Sequence, residues 1–126
     1  MTVTHPSAVR NSVTDYIVGQ LDEGAPAPGT LVFLTSGDAE VATLAFSIPA
    51  FNPASSGTAT ANPITPDASA TGGVIARARM KNSAGIDKII CSVSAPGGGG
   101  DIILNSVTIA AGQQVSLTSL TYTAPI

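Results

Sequence analysis

Four features of the chain have the residue types and spacing to do chemistry. They are the glycine run Gly97–Gly100 with Asp101 after it, the single thiol Cys91, the single imidazole His5, and the cations Arg77, Arg79 and Lys81. A glycine run cradles phosphate when Lys and Ser/Thr follow it and a helix begins there. Here "GGGGDIIL" continues into an apolar, β-branched stretch. The residue after the glycines is acidic and repels phosphate, and a dinucleotide fingerprint also needs a helix after its turn. The run therefore reads as a supple connection that feeds the last strands, since glycine meets little conformational penalty in such a loop.

Nucleophilic catalysis by Cys91 would need a histidine base, and only His5 is present, far away near the start of the chain. Cys91 lies in "KIICSVSA" and reads as a small buried hydrophobe. A single cysteine also excludes an intramolecular disulfide. The carboxylates Asp15, Asp22, Glu23, Asp38, Glu40, Asp67, Asp87 and Asp101 are scattered singly. Asp38 and Glu40 flank a turn, where meeting a cation and capping the turn are both open, capping being the commoner role. There is no calcium-loop spacing, no G-x-S-x-G and no Cys/His metal pattern. The reading is a protein that is not an enzyme, with no catalytic, cofactor-binding or metal-binding residues.

Arg77, Arg79 and Lys81 repeat at period two, so on a strand they share one face. They are three of the chain's five positive charges. Two readings stay open: a solvated face that blunts strand-to-strand aggregation, or an electrostatic contact with an acidic partner. The net charge of −3 and a pI near 4.7 argue against nucleic acid, which three cations would hold too weakly. No run approaches the roughly 20 apolar residues of a membrane span. Charged residues are 10% of the chain, against about 25% in ordinary soluble domains. So few charges give little protection against association, which suits a homo-oligomer or a larger assembly. The start "MTVTHPSAVR" has no apolar secretory core, so synthesis and use in a cytosol fit best.

The elements that must position these residues fit one domain of 126 residues. Residues 6–23 carry Val9, Val13, Tyr16, Ile17 and Leu21 at helical spacing, which predicts an amphipathic helix capped by Thr4 or His5. Such a stripe must dock on the rest of the domain or on a partner. These five residues are candidate interface, with Arg77, Arg79 and Lys81 as a secondary patch. "GAPAPG" (24–29) reads as a linker. Residues 30–36 and 41–48 predict a hairpin, with Ala42, Leu44, Phe46 and Ile48 sharing a face. Residues 52–73 read as a long surface loop with one short strand at most. Strands follow over 73–82, 86–95, 101–110 and 113–124. Six or seven short strands after one helix predict a mostly β fold, a small antiparallel β-sandwich over 30–126.

Taken nearly whole, the chain resembles the small Ala/Thr/Gly-rich structural proteins of tailed bacteriophages. The stretches that carry the resemblance are "LAFSIPAFNPASSGTATAN", "DASATGG" before a strand, and "GGDIILNSVTIAAGQQVSLTSLT". The resemblance implies a virion component assembled in the host bacterial cytoplasm. Its most specific form is a capsid decoration, or cement, protein with a jelly-roll-like sandwich. Such a protein binds the outer face of the major capsid protein shell and bridges neighbouring subunits, as a homo-oligomer on the capsid. Two alternatives are a tail, adaptor or fibre component and a carbohydrate-binding sandwich. The last would stack sugar on Tyr16, Tyr122, Phe33, Phe46 or Phe51.

Overall fold

The computed structural model describes residues 3–23, 28–117 and 119–123. The chain is mostly β with one N-terminal helix, and its curled, largely antiparallel sheet gives a small β-sandwich-like fold. Strand β1 (Thr30–Leu34) is a β-branched and apolar run, and four of its five residues are buried. It pairs antiparallel with β2 (Glu40–Ala45), placing Leu31 opposite Leu44 and Phe33 opposite Ala42. A bulge between Phe33 and Leu34 lets Leu34 meet Glu40. Val41 is consequently buried together with Ala42, against the strict alternation the sequence predicts.

Three short strands precede and follow the next long ones: β3 (Thr58–Thr60), β4 (Gly73–Val74) and, later, β7 (Ile102–Ile103). The main strands β5 (Arg77–Lys81) and β6 (Asp87–Ser94) complete a five-stranded sheet in the order β2-β1-β5-β6-β7. Two ribbons close the opposite side: β3 with β9 (Thr121–Thr123), and β4 with β8 (Thr108–Ile109). One apolar cluster lies within. Leu31, Phe33, Leu44 and Met80 enter it from the sheet; Phe46, Phe51, Ile75, Val115 and Leu120 enter it from the connections.

The expected strand over 73–82 breaks at Ile75 and Ala76. Ile75 donates its N–H to Val107 and Ala76 donates to Leu34, so the chain changes partner there. Alternation resumes at Arg77, but the break leaves Val74 exposed and Ile75 buried. The 101–110 stretch forms two short strands, and the described residues of 113–123 are irregular apart from Val115, which exchanges both backbone bonds with Asp67, and β9. The 52–73 loop is bonded along its length. Ala45 and Thr65 exchange N–H···O bonds of 3.2 and 2.8 Å, and Thr43 donates its N–H to Asp67 at 2.9 Å. This segment covers the free edge of β2, which would otherwise present unpaired backbone groups.

The glycine run sits in the connection 95–101. β7 runs parallel to β6, so the chain must fold back on itself within seven residues. At Gly100 a Cβ would lie 2.8 Å from the Ser94 amide nitrogen and 3.0 Å from the Val93 carbonyl carbon. Only glycine fits that approach. Gly100 N–H donates to Ser94 Oγ at 2.9 Å, and the Asp101 carboxylate accepts the Ser92 N–H at 3.0 Å. The run is a folded turn closed by its own neighbours.

Candidate functional site

Helix α1 spans Ser7–Gly19 and continues as a 3-10 turn over Gln20–Asp22. Pro6 takes the position before the first turn, and no side chain caps it, so neither Thr4 nor His5 serves as the expected cap. The expected linker falls mostly on residues 24–27, which lie outside the described residues.

The helix docks by its polar side. Thr14 is fully buried, and its Oγ1 donates to the Gly57 carbonyl at 2.8 Å. Gly57 N–H in turn donates to Asn11 Oδ1 at 2.7 Å. The Asp15 carboxylate accepts Ala54 N–H at 2.8 Å, and Asp22 accepts Ala50 N–H at 2.9 Å. The partners are backbone groups of an irregular segment, which need acceptors and donors wherever the ladder supplies none. Val18 and Leu21 add the apolar part of the contact and join the core.

Each helical residue advances about 100°. Val9, Val13 and Tyr16 therefore lie roughly opposite Thr14 and Val18. They are 45%, 39% and 71% exposed, and Ile17 is half-buried. With Ala8 and Ser12 they form a shallow outward trough without a charged side chain. Leu21 is corrected: three residues after Val18 and seven after Thr14, it falls on the inward side of the helix and is fully buried, so it belongs to the core and not to an interface.

The basic residues do share one strand face, but that face is not a free positive patch. Asp38 lies 3.2 Å from Arg77 and 3.5 Å from Arg79. Asp87 lies 3.1 Å from Arg79 and 3.0 Å from Lys81. Lys88 pairs with Glu23 at 3.2 Å. The Lys81 hydrogen bond, with the charges of Lys81 and Arg79, holds the Asp87 carboxyl below its ordinary value against the opposing effect of burial. Asp38 thus meets cations, but they are the chain's own. Glu40 accepts the hydroxyls of Thr43 and Thr71. An acidic partner would have to compete with these internal carboxylates.

Cys91 is half-buried, and burial, then the nearby Asp101 charge, pushes its thiol up. That is the opposite of the shift an activated nucleophile needs. Phe33, Phe46 and Phe51 are in the core, so of the five aromatics only Tyr16 is openly exposed. Among the described residues, no three His, Cys, Asp or Glu side chains gather as metal ligands, and no helix is long and apolar enough to cross a membrane.

Sequence reasoning picked out the helix but missed Asn11, Thr14, Asp15 and Asp22 as its docking residues. At helical spacing, polar residues of this kind read as a solvated face. No family model, no curated protein and no solved structure matches the chain.

Proposed function

We propose that the chain is a structural protein of a tailed-bacteriophage virion, a decoration protein that docks on the outer capsid shell through the exposed side of α1 and bridges neighbouring capsid subunits. The observation that carries the binding role is the orientation of the helix. A soluble domain ordinarily turns an apolar helical stripe inward. Here the polar side is anchored by hydrogen bonds and the apolar side, Val9, Val13 and Tyr16, is left outward. The assignment to a virion rests on the resemblance of the sequence to phage structural proteins.

Size decides how such docking works. A helix of 13 residues is about 20 Å long and about 10 Å wide. It covers roughly a quarter of the ~800 Å² that one partner contributes to a standard interface. The helix is therefore one contact among several, and an array of capsid subunits supplies the others by raising the effective concentration. The test is to purify virions of the encoding phage, identify the chain by mass spectrometry and locate it by antibody labelling. Density on the shell that weakens in a Val13→Ser/Tyr16→Ser variant supports the proposal. Absence from virions refutes it, and label confined to the tail replaces the capsid with a tail component.

A further inference from the structure

Beside the outward stripe lies a second feature of the same helix. A cleft of about 260 Å³ runs between α1 and the segment 49–53. Val18, Gly19, Pro49, Phe51 and Pro53 line it, together with the acidic residues Asp15 and Asp22. The two carboxylates are seven residues apart, two turns along the same side of the helix. Each uses one oxygen, Oδ1, to hold a backbone N–H, that of Ala54 or Ala50. The hydrogen bonds therefore fix both side chains in place. Among the described residues no ion pair joins a cation to either carboxylate: Arg77, Arg79, Lys81 and Lys88 are paired with Asp38, Asp87 and Glu23.

We infer that this cleft takes a lysine or arginine side chain presented by the docking partner. The methylene stem would lie along Val18 and Gly19 against the two prolines, and the charged head would meet one of the two carboxylates. Long basic side chains bury an apolar stem and keep the head polar, which is the chemistry of this cleft. Charge complementarity names the kind of partner. With its cations engaged internally and a net charge of −3, the chain offers the helix side of its surface to a positive group. A second copy does not fit, because the four cations named above are held in ion pairs and Arg10 packs its guanidinium against Gly57. The partner is thus a different protein whose surface carries a basic residue within an apolar surround. The inference rests on the proposed docking role only for the partner's identity.

The test needs no virion, so its failure leaves the virion assignment standing. The intact chain is titrated with Nα-acetyl-arginine methylamide at about 10 mM salt, where the screening length is about 30 Å. Amide NMR shifts are followed. The expected result is saturable movement of Val18, Gly19 and Asn52 with millimolar affinity. It weakens at least tenfold in 1 M salt and in Asp15→Asn/Asp22→Asn, whose side-chain oxygens keep the backbone bonds. Gly19→Leu plugs the cleft without a clash, because a Cβ at Gly19 meets nothing within 4 Å. That variant is expected to lose the response while its spectrum stays dispersed. Equal shifts with the neutral Nα-acetyl-norleucine methylamide, non-saturating shifts, or unchanged binding by the Asn variant would overturn the inference.

Discussion

Replacing Gly57 with alanine tests how the helix is held. Gly57 has φ +79°, in the left-handed region where an L side chain costs about 1–2 kcal/mol. A Cβ there would lie 2.6 Å from Arg10 Cζ and 2.8 Å from one of its terminal nitrogens. The guanidinium ends a flexible side chain, so it can withdraw, and the crowding adds about 1 kcal/mol. Any backbone shift that relieves the strain lengthens the bonds to Thr14 and Asn11, each worth about 1 kcal/mol. Gly57→Ala is therefore expected to lose about 2–4 kcal/mol. In urea the midpoint should fall by roughly 1–2 M with an unchanged slope. A cycle with Arg10→Ala isolates the crowding, and a coupling of about 1 kcal/mol is expected. A loss under about 0.5 kcal/mol, within the range of neutral surface substitutions, would refute the claim that this turn anchors the helix. An additive cycle would refute the crowding argument alone.

Two further outcomes follow from the shifted groups. The Asp87 carboxyl is held below its ordinary, unfolded value of 3.8 in the folded chain, so its ion pairs add stability above that value and lose it as the pH falls through the folded value. Wild type should exceed Asp87→Asn by a constant margin from pH 7 to about pH 5, and the margin should shrink progressively in more acidic urea titrations; a margin that persists to pH 2 contradicts the pairing. Cys91, raised above 9.0, should react with iodoacetamide more slowly than a peptide thiol at neutral pH, with a rate midpoint above 9.0. A midpoint at or below that value would show that burial does not control the thiol.

The sequence made the hairpin β1–β2 legible, because Leu31, Phe33, Ala42 and Leu44 sit at the period of a strand and tertiary packing agrees with it. The shared face of Arg77, Arg79 and Lys81 was legible for the same reason. Their partners were not, since Asp38 and Asp87 reach them across a turn and a neighbouring strand, and pairing over such separations leaves no local pattern. The break at Ile75 and Ala76 within the expected strand 73–82 was not legible, because a partner change interrupts a strand without a glycine or proline at the break itself. The 52–73 segment looked like free loop because Ala, Thr, Ser and Gly carry little periodic signal, while its backbone bonds run sideways to β2, to Val115 and to β9. Periodicity found the helix and its apolar side. It could not tell that the unladdered backbone around Gly57 would claim the polar side first.

That polar joint has a consequence for recognition. An oily seat lets a helix roll, because dispersion contacts have little preference for angle. Bonds from Asn11, Thr14, Asp15 and Asp22 to backbone groups of residues 50, 54 and 57 are directional, and together they fix the azimuth of α1 as a key is fixed by its wards. Val9, Val13 and Tyr16 are thereby aimed before any partner arrives, and the orientational entropy that a rolling helix would forfeit on association has already been lost during folding.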